Sequence, residues 1–388
     1  MEIVFVSNFL NHHQIPLCEE LRVLAESFWF IATENGTSQG YQVSQSREYV
    51  IDYQTEKARA LEKILSADAV VFGSCPNELI QTRMRCNKLS FLFSERFFKK
   101  GTWRRWIPKT RKAVRDRIVK HADKQMYALC ASAFLPYDLS LLRFPSDKCL
   151  RWGYFPRGKC YEDVNALLEK KRKNSILWAG RMISLKHPEL AVYTAKRLTE
   201  EGCDFSMNII GDGPLKADLQ KQIDACGLSQ KVHILGSMKP EQVRDYMEQS
   251  EIFLFTSDRN EGWGAVLNEA MNSACAVVAS SAIGSVPYLV EDGQSGLIFR
   301  SERKDDLVDK VKILLTHPEE RAKLGESAYR TIAEEWNANI AARRLVEMID
   351  IFLKENKLVA YDRGPCSRAE VLGDNWKNDK ERLGAICI

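Results

Sequence analysis

Short apolar runs rich in Val, Ile, Leu and Phe alternate with longer stretches of helical period along nearly the whole chain. A strand that is apolar on both faces needs cover above and below, and parallel strands joined by crossover helices supply it. The spacing predicts strands over Ile3–Ser7, Phe28–Ala32, Ala69–Gly73, Leu89–Ser94 and Ala128–Ala131. A second series falls at Ser175–Ala179, Phe205–Ile210, Val232–Leu235, Ile252–Thr256, Ala276–Ala279 and Leu297–Phe299. Helices are expected between them, as over Pro188–Glu201, Pro214–Ala225, Pro240–Gln249 and Leu307–Thr316, and after the second series over Pro318–Trp336 and Ala338–Lys354. Two such series imply an α/β chain with two doubly wound parallel sheets. The aperiodic Trp152-Gly153-Tyr154-Phe155-Pro156-Arg157-Gly158 and the basic run Lys170–Lys173 put the boundary within Arg151–Lys173. The expected division is a first domain at residues 1–160, a second at 161–335, and a C-terminal helix with a polar tail at 336–388.

Composition narrows the function classes. With 388 residues, 45% hydrophobic and 28% charged, the chain is neither disordered nor of low complexity. It has no run of about 18 apolar residues that would mark a transmembrane helix. The start, Met1-Glu2-Ile3-Val4-Phe5-Val6, reads as a first strand and lacks the pattern of a signal peptide. The 11 cysteines form no C-x-x-C pair and no zinc spacing, so reduced thiols and a cytoplasmic location are expected. The net charge of +4 conceals an asymmetry: residues 1–160 hold 25 Lys+Arg against 16 Asp+Glu, leaving 31 against 36 for the remainder. The first half is therefore +9 and suits an anionic partner.

In open α/β sheets ligands bind beyond the carboxyl ends of the strands, so the loops there matter most. The first loop, Ser7-Asn8-Phe9-Leu10-Asn11-His12-His13-Gln14, leads into a helix from about Ile15. Adjacent histidines are expected to diverge, so that at most one faces a ligand. The loop has no G-x-G-x-x-G, which argues against a nicotinamide dehydrogenase. Gly180-Arg181-Met182-Ile183-Ser184-Leu185-Lys186 follows the strand at Ser175–Ala179, and its two cations either converge on a diphosphate or are simply solvated. Gly211-Asp212-Gly213-Pro214 follows the next strand as a tight turn that allows close backbone approach. Glu261-Gly262-Trp263-Gly264-Ala265-Val266-Leu267-Asn268-Glu269 follows the strand at Ile252–Thr256. Its carboxylates suit pairs of sugar or ribose hydroxyls, or else answer a helix dipole.

Taken together, G-R-x4-K, then G-D-G-P, then E-x7-E within E-G-W-G-x3-N-E-A resembles the family 4 retaining glycosyltransferases. The match runs over roughly Ile176–Phe299 and includes Gly284 to Pro287 and Glu291-Asp292-Gly293-x-x-Gly296. The resemblance implies a GT-B fold, two Rossmann-like domains facing across a cleft, with a nucleotide-diphospho-sugar donor on the second. Arg181 and Lys186 match the pair that binds the diphosphate and stabilises the leaving group. Glu261 matches the holder of donor-sugar hydroxyls and Glu269 the ribose carboxylate. Gly211, Asp212, Gly262, Trp263 and Gly264 match the surroundings of the sugar and phosphate. Met238, in Gly236-Ser237-Met238, matches the segment beside the base. The resemblance implies no cofactor and no metal, and the chain has no D-x-D.

On the acceptor side the chain departs from the pattern. Many members carry a glycine pair in the first loop, where this chain has Ser7-Asn8, and a His where it has Ser94-Glu95-Arg96. Either Glu95 serves near the reacting centre, or His12 or His13 does. These segments are closest in pattern to glycosyltransferases of bacterial capsule, exopolysaccharide and O-antigen synthesis. Between Phe97 and Arg117 nine Lys and Arg residues are interleaved with Trp103 and Trp106, opposed only by Asp116. Such a segment suits an anionic membrane surface and places the protein peripherally on the inner face of the plasma membrane. A solvated helix with core tryptophans is the plainer alternative, and no nucleic-acid-binding fold accompanies the charges. The expected function is transfer of a sugar to a saccharide acceptor, polyprenyl-diphosphate-linked, in surface polysaccharide synthesis. A GT-B epimerase or hydrolase, and a non-catalytic subunit that binds nucleotide sugars, are the alternatives.

Overall fold

The computed structural model describes residues 1–34 and 47–378, which divide into two compact units. Unit 1 comprises Met1–Arg157 and Glu335–Asp374; unit 2 comprises Gly158–Glu334 and the described residues from Asn375 on. Each is built on one parallel sheet covered by helices, and the two sheets are those of a GT-B fold.

Unit 1 holds seven strands: β1 Glu2–Ser7, β2 Ser27–Ala32, β3 Val50–Asp52, β4 Ala69–Phe72, β5 Ser90–Ser94, β6 Met126–Cys130 and β7 Cys149–Arg151. Their order is β3-β2-β1-β4-β5-β6-β7. Ile3, Val4, Phe5 and Val6 of β1 are all buried, as a central parallel strand covered on both faces requires. The order reverses between β1 and β4, which opens a crevice at their carboxyl ends. Unit 2 holds β8 Arg172–Ala179, β9 Ser206–Ile210, β10 Val232–Gly236, β11 Ser250–Phe255, β12 Ala276–Ser280 and β13 Leu297–Phe299, in the order β10-β9-β8-β11-β12-β13. Here the reversal lies between β8 and β11.

Strands β3 and β7 are absent from the sequence expectation, because Val-Ile-Asp and Cys-Leu-Arg each end on a charged residue and show no apolar run, unlike the equally short Leu-Ile-Phe of β13. The segment at 336–388, read as a helix and uninterpreted tail, is more than an appendage. The run expected as one helix over Pro318–Trp336 is α-helical only to Arg330 and continues as a π-helical turn over Thr331–Glu335. The helix Ala338–Glu355 then starts on the Asn337 side chain, which accepts from Ile340 N at 2.9 Å. Its buried stripe, Ala341, Ala342, Leu345, Met348, Ile349 and Phe352, has helical spacing and packs against the helix Ile15–Leu24 of unit 1. Further on, Arg151 N donates to Ser367 O at 2.7 Å and Ala369 N to Cys149 O at 3.0 Å, so the tail pairs with the outer edge of β7. That pairing covers an edge otherwise open to other strands. The last residues of the tail, from 379, lie outside the described residues.

The cysteines among the described residues are free thiols. No helix among the described residues is long and apolar enough to cross a membrane.

Candidate functional site

The switch point of unit 2 gathers the residues expected to bind a donor. Trp178, buried near the end of β8, donates its indole N–H to Thr256 Oγ1 at 2.9 Å. Thr256 Oγ1 in turn donates to Lys186 O at 2.7 Å, and Asp258 N donates to Leu185 O at 2.9 Å. The loop after β8 is thereby fastened to the loop after β11. A short 3-10 turn, Ser184–Lys186, ends at His187 in the left-handed region, φ 48°. His187 Nδ1 meets Glu189 Oε1 at 2.6 Å, and its Nε2 lies 3.4 Å from Asp258 Oδ2. Glu189 first, and Asp258 with it, hold the His187 pKa above its ordinary value against burial.

This scaffold brings Lys186 Nζ onto Glu261 Oε2 as an ion pair, and Ser257 Oγ donates to the same oxygen at 3.1 Å. Arg181 is exposed, and its guanidinium has no hydrogen bond or ion pair among the described residues. The loops after β8, β9 and β10 form a continuous ledge. Gly180 N donates to Ile210 O at 3.0 Å, Met182 N to Asp212 O at 2.8 Å, and Gly211 N to Gly236 O at 2.8 Å. The approach is so close that a Cβ on Gly211, at φ +139°, would sit 1.9 Å from Gly180 O; only glycine fits. Asp212 is exposed and paired with Lys216 at 2.8 Å, and Met238 is half-buried on the loop beyond Gly236.

The loop Glu261–Ala265 enters the helix Val266–Asn272, which carries Glu269 in its first turn. Gly264, at φ +78°, leaves room for the Phe255 ring, which a Cβ would meet at 2.2 Å. Gly262 is buried beside it. The Trp263 side chain faces inward, which leaves the residue's backbone for a ligand: it is 1% exposed, and its indole N–H donates to Asn268 Oδ1 at 2.8 Å. Its carbonyl accepts from Ser285 Oγ at 2.5 Å. The side chain anchors the loop from inside because an indole that size is worth more buried than wet. The Glu269 carboxylate has no hydrogen-bond partner among the described residues; burial pushes its pKa up, and Arg244 pulls it partway back. Among the described residues no group of three or more His, Cys, Asp or Glu side chains is placed to hold a metal ion.

Residues 162–331 match the family model described as glycosyl transferases group 1. Over those residues the chain is similar to the group 1 glycosyl transferases. The α-D-kanosaminyltransferase of Streptomyces kanamyceticus is 34% identical to it over 246 residues, which cover 60% of this chain and 63% of that one. The amylovoran biosynthesis glycosyltransferase AmsK of Erwinia amylovora is 29% identical over 183 residues, 45% of this chain and 44% of that one. The chain thus spans less than two thirds of these curated relatives. Among solved structures, Anabaena HepE in complex with UDP superposes over 90% of this chain and 100% of that one, with a TM-score of 0.65 at 12% identity. Arg181, Lys186, Gly211, Asp212, Met238, Glu261, Gly262 and Gly264 lie on the loops beyond the carboxyl ends of β8 to β11, and Glu269 lies in the first turn of the helix that follows β11.

His12, His13 and Glu95 belong to unit 1, outside the residues that match the family model. The histidine rings do not diverge. Their centroids are 3.7 Å apart, because Asn11 Oδ1 accepts from both His13 N and Gln14 N and curls the loop. Burial, and then His12, lower the His13 pKa to about 3; burial also lowers that of His12. Glu95 pairs with Lys99 and stands beside Tyr154, whose hydroxyl is pushed up by burial and by that carboxylate. A pocket of about 470 Å³ opens at the switch point of this sheet. Ser7, Asn11, Glu95, Lys99, Arg117 and Tyr154 are among its walls. Sequence reading placed Arg117 in the membrane-facing basic segment and gave Tyr154 no place in a site; the signal available was that the loops after β1, β4 and β5 converge. The tryptophans of the basic segment are not core residues either: Trp103 is 59% and Trp106 70% exposed.

Proposed function

We propose that this chain is a retaining glycosyltransferase that moves a sugar from a nucleotide-diphospho-sugar to a lipid-linked saccharide acceptor in bacterial surface polysaccharide synthesis. One observation carries the reading: the Lys186–Glu261 ion pair stands at the switch point of unit 2, on the same short loop as an unpartnered Arg181. In this scheme an incoming diphosphate takes the charge of Arg181 and draws Lys186 from Glu261. The released carboxylate then accepts hydroxyls of the donor sugar. As the bond between the anomeric carbon and the phosphate oxygen breaks, the two cations meet the growing negative charge. The acceptor hydroxyl attacks the same face and passes its proton to the departing oxygen, so configuration is retained. Glu269, at the helix start, suits the ribose hydroxyls, with the glycines of the Glu261 loop beside the sugar. Glu95, His12 and His13 stay candidates for a polar role beside the acceptor. We place the protein peripherally at the inner face of the membrane, where the exposed Trp103 and Trp106 and the basic residues around them meet anionic lipid.

The test is Glu261→Ala, assayed for transfer beside thermal shifts with UDP-, GDP-, ADP-, CMP- and dTDP-sugars. UDP leads the panel because it occupies the Anabaena structure. The expected result is stabilisation by one nucleotide class, with transfer lost in the variant. Full activity in the variant sinks the site assignment, and sugar turnover without any acceptor favours an epimerase or hydrolase.

A further inference from the structure

Three cations line the pocket of unit 1, and two of them are neutralised. Arg96 lies 3.0 Å from Asp138 and 2.7 Å from Asp374, and Lys99 is paired with Glu95. Arg117 differs. Its guanidinium donates to Gly73 O, to Cys75 O at 2.9 Å and to Asn77 Oδ1 at 3.0 Å, and no carboxylate lies within 4.0 Å of it among the described residues. Neutral oxygens hold the fork in place and leave its charge uncompensated. A fixed, unneutralised guanidinium on a pocket wall is a receptor for an anion, above all a phosphate or a carboxylate.

Chain geometry favours phosphate. Lys99 and Arg117 both line the pocket, and the exposed Trp103 and Trp106 lie on the turn between them, Thr102–Trp106. Trp103 is four residues from Lys99, so the turn lies within about 14 Å of the pocket wall even with the chain fully extended. A prenyl diphosphate can bridge that distance, with its lipid at the tryptophans and its phosphates at the pocket. We propose that Arg117, with Lys99 beside it, binds the phosphate of a lipid-linked acceptor whose hydrocarbon enters past Trp103 and Trp106. This rests on the reading of the acceptor as lipid-linked, and it assigns the residues that recognise it.

The experiment measures binding of farnesyl diphosphate, inorganic pyrophosphate and glucuronate to the full chain by calorimetry. An Arg181→Ala background removes the expected donor-side cation. Arg117→Gln should weaken both phosphate probes by about 10- to 100-fold, the value of a hydrogen-bonded charge. Trp103→Ser with Trp106→Ser should weaken farnesyl diphosphate and spare pyrophosphate. Should Arg117→Gln fail to fold, Lys99→Glu places a repelling charge at the part-exposed rim and should weaken both phosphate probes. Unchanged phosphate binding in the folded variant overturns the proposal, as does tighter binding of glucuronate than of pyrophosphate. Failure of the donor reading would appear separately, as wild-type protein that no nucleotide sugar stabilises.

Discussion

Lys186 and Glu261 are 15% and 14% exposed, so solvent screens their attraction only weakly, and removal of one partner leaves the other charge largely buried. A doubly charged diphosphate competes with the single carboxylate for Lys186. Lys186→Ala should therefore lower thermal stability by about 1–3 kcal/mol as well as lowering kcat/KM for transfer about 100- to 1,000-fold, and a bound nucleotide sugar should stabilise the wild type and not the variant. Calorimetry and initial rates read the two effects. His13 separates the states by pH instead. Its pKa is about 3 when folded against 6.5 when free. Below pH 6.5 the unfolded chain binds a proton that the folded chain refuses, so stability falls as pH drops from 6.5 towards 3, by up to about 1.4 kcal/mol per unit. Above pH 6.5 the group contributes nothing to the slope. His13→Phe should flatten that acid limb in urea titrations run between pH 4 and 7.

At the scale of elements, what the sequence disclosed depended on length and on period. Long apolar strands such as β1, β8 and β11 were legible because burial on both faces leaves a continuous run. The short strands β3 and β7 were not, since each ends on a charged residue and shows no apolar run, whereas the wholly apolar β13 of the same length could be read. The tail was illegible for a related reason: Ser367 and Ala369 bind β7 through their backbone, and backbone pairing leaves no side-chain signature. Arg181, Lys186, Glu261 and Glu269 could be read because their loops follow strands in a fixed order. The burial of Trp263 and the exposure of Trp103 and Trp106 could not, because an indole suits either environment and packing decides. Removing the chain after Lys357 should cost about 3 kcal/mol from the three lost backbone bonds to β7, and more as Arg96 loses Asp374. A lower melting temperature, with self-association in size-exclusion chromatography through the bared edge, is the expected outcome.

Over the whole molecule, charge is divided as unevenly as the sheets are regular, with +9 on residues 1–160 and −5 on the remainder. If the exposed basic segment meets lipid, binding should depend on both salt and the tryptophans. Sedimentation with phosphatidylglycerol vesicles should exceed that with phosphatidylcholine and fall steeply as salt rises from about 0.05 to 0.5 M. Trp103→Ser with Trp106→Ser should remove most of what salt leaves.

The path of the chain also sets an order of events during synthesis. Unit 1 is interrupted at Arg157 and resumes at Glu335, whereas the main body of unit 2, Gly158–Glu334, is continuous. Roughly 180 residues must be translated after Arg157 before the helix Ala338–Glu355 exists to cover the helix Ile15–Leu24. At typical elongation rates this lasts on the order of 10–40 s. Through that interval the nascent first half displays an apolar stripe with no partner, a natural client for a ribosome-associated chaperone, and the part of the protein made first is the last to be finished.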